Sequence, residues 1–291
     1  MTAMKAIDGI DHTLVGVRDL EAAHEQWARM GFTLTPRGRH IGWGTGNYCI
    51  MLDCGYVELL GIVNAAEFTN NLDRFLETRE GLMGLAFASD DAIRCAGALR
   101  DAGIAADGPK VLKRLLELPD GTVTPEFSLV YLPGEAVPDL RAFVCQHRTP
   151  DLVRKPEWLA HANGAEALLG MTVASDDPVS LAPAYRRLFG AHAVRPGDGW
   201  LRVETGAGWI DFATPDLLAR RYARVAPWPD YAFPWAVAMT VGVADIGRCR
   251  TALAAGGFAP RALGLGRNAG IALGPADASG LYLEFIEVKP Q

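Results

Sequence analysis

The chain has 291 residues, is 49% hydrophobic and 21% charged, and carries a formal net charge of −6. That length allows one to three domains, with two the expectation, and the acid excess with no basic cluster argues against nucleic acid or an anionic membrane as partner. Five scattered cysteines without a CxxC pair exclude a zinc knuckle and a disulfide framework and point to a reducing, cytoplasmic setting.

In chain order, the start MTAMKAIDGIDH lacks an apolar run of signal-peptide length. No window approaches the roughly 18–20 apolar residues of a membrane span. The first periodic segment is HTLVGVRDLEAAHEQWARMGF, from His12. Its grammar is an apolar strand, an aspartate and an amphipathic helix. The grammar returns as GLAFASDDAIRCAGALRDAGI from Gly84, GMTVASDDPVSLAPAYRRLFG from Gly170 and AMTVGVADIGRCRTALAAGGF from Ala238. A spacing of roughly 70–85 residues is too long for a solenoid and suits a supersecondary module. Asp19, Asp91, Asp177 and Asp245 stand where helix N-caps belong. Gly31, Gly103, Gly190 and Gly256 stand where a left-handed C-cap is cheap.

After the first helix comes GRHIGWGTGN, residues 38–47, with four glycines among ten residues. Glycine lets backbone approach a ligand closely. His40, Trp43 and Asn47 would then supply a base or ligand, an apolar wall and an amide, which is the composition of a small-molecule pocket. The bland reading is a bulged hairpin with Trp43 in the core. The stretch is no dinucleotide or phosphate loop, because a strand-then-helix context is missing. Closing strands repeat as YVEL at Tyr56, WIDF at Trp209 and YLEF at Tyr282, while RAFVCQH, from Arg141, has no acid. The run RRYARV, from Arg220, reads as a solvated face. The expected fold is therefore α+β, with four βαβββ modules.

This fourfold repeat resembles the vicinal oxygen chelate superfamily of glyoxalases, bleomycin-resistance proteins and extradiol dioxygenases. The resemblance implies two halves of curved, mixed, mostly antiparallel sheet with helices outside, a first half over residues 1–150, a linker over 151–165 and a second half over 166–291. HTLVGVRDLEAA resembles the first strand and helix of glyoxalase I, and YVELLGIV its fourth strand. GRHIGWGTGN followed by YVELLG resembles the glyoxalase-like domain proteins. The resemblance implies metal ligands on the first and last strands of a module, and it places His12 and Glu58 in those slots. The matching first-strand residues elsewhere, Gly84, Gly170 and Ala238, offer no side-chain ligand. His147, Gln146 or His40 could complete the set.

The resemblance therefore implies a divalent cation (zinc, nickel, manganese or iron) and a metal-assisted lyase or isomerase acting on a small oxygen-rich molecule. His40 or His147 would move the proton, and Trp43, Asn47 and Gln146 would bind substrate. Extradiol cleavage fits less well, since its ligand set belongs in the second half. The alternative is a non-catalytic binding protein with aromatic walls, and a homodimer is compatible with either. A strand histidine is often only a core residue, but a carboxylate such as Glu58 among apolar neighbours needs a partner. Asp211 and Glu284 have a simpler explanation as ion pairs with Arg202 or Arg261.

Overall fold

The computed structural model describes residues 7–263 and 270–288. Module one runs β1 (Gly9–Gly16), α1 (Leu20–Arg29), β2 (Gly38–His40), β3 (Thr45–Met51) and β4 (Tyr56–Ile62). Module two, after an added helix α2 (Leu72–Thr78), runs β5 (Gly81–Ala88), α3 (Ala92–Asp101), β6 (Asp107–Leu118), a short β7 (Gly121–Val123), β8 (Glu126–Tyr131) and β9 (Ala142–His147). A connector with the single turn α4 (Pro156–Leu159) leads to module three: β10 (Ala165–Ala174), α5 (Ala182–Phe189), β11 (Val194–Gly197), β12 (Trp200–Gly206) and β13 (Gly208–Ala213). A second added helix, α6 (Pro215–Tyr222), precedes module four: β14 (Trp235–Val243), α7 (Ile246–Ala255), β15 (Arg261–Leu263), β16 (Gly270–Leu273) and β17 (Tyr282–Glu287). The α+β class and the βαβββ repeat follow the sequence reading. The helices α2 and α6 were not anticipated.

The aspartates act as the repeat requires. Asp19 accepts from the Ala22 backbone N–H at 2.9 Å, Asp91 from Ile93 and Arg94, and Asp245 from Arg248. Asp177 caps a 3-10 turn over Pro178–Leu181 instead of an α-helix, with Pro178 at its first position. Gly31, Gly103 and Gly190 take positive φ. At the fourth helix the left-handed residue is Gly257 rather than Gly256, whose φ is −78°. The tandem glycines let the turn slip by one residue.

The first sheet has the order β2-β3-β4-β1-β5-β9-β8-β6-β7 and the second β11-β12-β13-β10-β14-β17-β16-β15. One parallel pairing belongs to each module: β1–β4, β5–β9, β10–β13 and β14–β17. Within each half the modules meet through an antiparallel pair, β1–β5 or β10–β14. The first sheet additionally closes on itself, because β2 pairs with β6 and sets His40 opposite Arg114. That closure turns a curved sheet into a cup.

The main apolar core runs through both halves, from Trp27 and Phe87 to Tyr185, Phe212 and Phe285. Trp27 is fully buried, and its indole N–H donates to Ser279 Oγ at 3.0 Å across the halves. The connector is packed: Trp158 lies against Cys49, Met51, Tyr56 and Leu116.

Candidate functional site

The cup encloses a cavity of about 230 Å³. Its floor is polar, with His12, His40, Thr45, Asn47, Glu58 and Arg114, and its walls are largely apolar. Trp43 stands at its edge, half-buried, against His40 and Phe68.

Strand register places the floor. His12 pairs with Tyr56, and Leu14 with Glu58. The same offset joins Gly170 to Trp209, Thr172 to Asp211, Ala238 to Tyr282 and Thr240 to Glu284. In module two the position matching Glu58 is Phe143, opposite Ala86. The slot matching His12 there, Gly84, cannot take a side chain, because a Cβ would lie 2.1 Å from the Arg141 carbonyl oxygen. At Gly170 a Cβ would lie 2.6 Å from the Trp209 indole. The second-half acids are consumed by ion pairs: Asp211 with Arg202 at 2.6 Å, and Glu284 with Arg221 at 2.7 Å. Arg221, within the run expected to be a solvated face, is thus turned inward to Glu284, and Arg261 is not its partner.

In the first half His12 and Glu58 face each other, Nε2 to Oε2, at 3.7 Å. His40 Nε2 lies 3.7 Å from the other carboxylate oxygen. Asn47 donates its amide to Glu58 and accepts from Arg114 Nη1 at 2.9 Å, so the amide orientation is set from both ends. His40 Nδ1 hydrogen-bonds with Thr45 Oγ1 at 2.9 Å. Behind His12 stands Asp11, which accepts from His12 Nδ1 at 2.6 Å and from His147 Nε2 at 3.1 Å. Neighbouring strand residues normally face opposite sides. A bulge between Ile10 and His12 lets Asp11 and His12 turn the same way.

The electrostatics follow from burial and neighbours. Burial works to raise the Glu58 carboxyl, but His40, His12, Asn47 and Arg114 outweigh it and hold it below the usual range. Burial likewise opposes ionisation of Asp11, yet His147 and His12 hold it lower still. Burial depresses His40 against the pull of Glu58, which favours a neutral imidazole.

Of the residues singled out in the sequence, His12, His40, Trp43, Asn47 and Glu58 converge on one cavity. Gln146 does not join them: its amide donates to the Asp90 carbonyl oxygen and accepts from Ala92 N–H, at the start of α3. His147 stands behind Asp11, outside the cavity lining. Trp228 and Trp235 pack together in the second half, away from this cavity. Asp11 and Arg114 were missed. Asp11 was hidden by strand alternation. Arg114 left a faint signal, an arginine two residues from both Leu112 and Leu116 on one strand face.

The donor set suits a divalent cation in part. His12 Nδ1 is occupied by a carboxylate, which leaves Nε2 directed at an ionised Glu58, as in metal sites where a carboxylate orients the ligating histidine. A separation of 3.7 Å is too long for a hydrogen bond and suits two ligands of one ion. Among the described residues, the one group of three side chains whose ligand atoms all lie within 4.8 Å of one another is Asp11, Cys145 and His147. There Asp11 is already engaged by two histidines, and burial keeps the Cys145 thiol well above its usual range. We read that cluster as support for His12.

Fold and floor together define a four-module protein of the vicinal oxygen chelate superfamily. The chain belongs to the family described as glyoxalase-like domain, whose model matches residues 10–189. Among solved structures it is similar to a hypothetical protein from Staphylococcus aureus, with TM-score 0.65, 12% identity, and 96% of this chain and 99% of that one covered. A mutant of 4-hydroxymandelate synthase from Streptomyces coelicolor gives TM-score 0.63 and 14% identity over 97% and 93% of the two chains. A fusion of a xylose isomerase-like TIM barrel with 4-hydroxyphenylpyruvate dioxygenase gives TM-score 0.55 and 15% identity, over 98% of this chain and 49% of that one. These are likenesses of fold. No curated protein matches the chain in sequence. Among the described residues, no helix is long and apolar enough to cross a membrane.

Proposed function

We propose that the protein is a lyase or isomerase that moves a proton on a small oxygen-bearing molecule bound in the first-half cavity. The carrying observation is the floor itself: His12 and His40 each present Nε2 to one oxygen of the same buried carboxylate, Glu58, at 3.7 Å. His12 and Glu58 would hold a divalent cation, which acts as a Lewis acid on a substrate oxygen when bound. His40, kept neutral by burial and steadied at Nδ1 by Thr45, would take the proton from the carbon next to the one that bears that oxygen. Asp11, backed by His147, fixes the tautomer and ring of His12. Trp43 and the apolar walls exclude water. Five free cysteines are in keeping with a cytoplasmic setting.

The test uses untagged protein, assayed for bound metal and then, with zinc, nickel, manganese or iron added, for exchange into D2O of the protons beside the carbonyl. The substrates are a panel of small 2-oxo acids and hydroxyketones followed by NMR. Wild type is expected to exchange at least one of them. His40→Gln should slow that exchange by roughly 10²–10⁴-fold. His12→Ala and Glu58→Gln should each abolish metal binding in protein that stays folded. Exchange no faster than in buffer, with every metal and every panel member, would sink the catalytic reading and favour a protein that only binds.

A further inference from the structure

Arg114 has no part in the proton transfer just described, yet its position is unusual. Among the described residues it is the one lysine or arginine that the fold buries, with 3% exposure. It makes no direct ion pair; Glu58 feels its charge and is bridged to it through Asn47. The carboxylates of the floor are already hydrogen-bonded, Glu58 by Asn47 and Asp11 by His12 and His147.

The guanidinium spends Nη1 on Asn47 Oδ1 at 2.9 Å and on Cys49 Sγ at 3.1 Å. Its Nε is buried without a partner. Nη2 has no hydrogen bond among the described residues either. Nε and Nη2 form the side-on edge with which a guanidinium grips a carboxylate bidentately. Glu58 balances the charge at a distance, but a buried guanidinium with hydrogen bonds unmade is costly, so the open edge beside the cavity suits an acceptor supplied from outside. Beyond Arg114 the cavity wall is largely apolar, with Leu112, Phe127, Leu129 and Met83; the other cation of the lining, Arg141, is exposed and donates to the Asn70 carbonyl oxygen. Phe127 also lies under the guanidinium, 5.8 Å from ring centre to Cζ.

We propose that this cavity selects small monocarboxylic acids with an apolar body, the carboxylate lying on Arg114 and the body along the Leu112–Phe127–Leu129 wall. The proposal rests on the reading of the cavity as a substrate site, and it makes Arg114 a specificity-determining residue.

The probes are 3-phenylpropanoate and octanoate, each against its primary amide and alcohol, with binding measured by calorimetry on the wild-type protein. The acids should bind roughly tenfold or more tightly than their amides, the worth of a charge-assisted bond in a buried site. Arg114→Met should remove that preference, and Arg114→Lys should keep part of it. Equal binding of acid and amide by wild type, or no binding of either acid at millimolar concentration, overturns the proposal, and neither outcome depends on Arg114→Met folding. A folded Arg114→Met that binds the acids as the parent does also overturns it. These are equilibrium measurements. Carboxylate preference without proton exchange sinks the catalytic reading alone, and exchange on neutral hydroxyketones without carboxylate preference sinks this one alone.

Discussion

At the scale of single residues, two small features shape the floor. The bulge at Asp11 puts a carboxylate behind His12. Asp11→Asn offers a neutral amide in its place, so two histidines lose their anionic acceptor. We expect metal affinity or exchange rate to fall by about 10–100-fold, the usual effect of removing a supporting carboxylate, with KM little changed. Gly38 is the second feature. A Cβ there would lie 2.1 Å from Asn47 Oδ1, the oxygen that receives Arg114. Gly38→Ala should therefore push Asn47 out of line and cost about 1–3 kcal/mol. Chemical denaturation would show the loss, and carboxylate binding should weaken with it.

At the scale of elements, the glycine-rich stretch is a hairpin that seals the cup. Its first strand pairs with β3 on one side and β6 on the other, so His40 and Arg114 belong to the floor rather than to an edge. Beyond the cup, the connector docks through His161. That ring accepts from Thr33 N–H at Nδ1 (2.9 Å) and donates from Nε2 to the Met51 carbonyl oxygen (2.8 Å). Both bonds suit only the neutral imidazole, and burial lowers its pKa from 6.5. Below pH 6.5 the unfolded chain therefore binds a proton that the folded chain refuses, so stability must fall as pH falls through that value. Melting temperature should decline from pH 7.5 to 5.5. His161→Gln, which titrates nowhere in that range, should flatten the decline. An unchanged slope would show that His161 does not carry the effect.

Across the whole molecule the halves share a fold and divide the work. The second half keeps the acids of the repeat but closes them into ion pairs. Glu284, 1% exposed, receives Arg221, Tyr222 and Thr240. Glu284→Gln strands a half-buried guanidinium and should cost about 2–3 kcal/mol, less than for a fully buried pair because Arg221 reaches solvent. Metal content and ligand binding in the first half should stay as in the parent, measured below the unfolding range. The halves are joined by close backbone contact as well as by the shared core: at Gly9 a Cβ would lie 2.4 Å from the Ala207 carbonyl oxygen.

The sequence alone determined the repeat, because strand alternation, an N-capping aspartate and a left-handed glycine are local devices that recur wherever the module does. It also confined the pairing of a first-strand histidine with a last-strand acid to one module. His12 and Glu58 are polar residues in apolar strands, and the slots equivalent to His12 read glycine or alanine. Tertiary structure alone decided the rest of the floor. The bulge that reverses Asp11 and the β2–β6 seam that faces His40 with Arg114 arise from pairing between segments far apart in the chain. The diversion of Gln146 to a helix N-terminus and the choice of Arg221 over Arg261 for Glu284 are of the same kind. Side-chain partnership is settled by which backbone positions come within a few ångströms of one another, and local periodicity is silent about that distance.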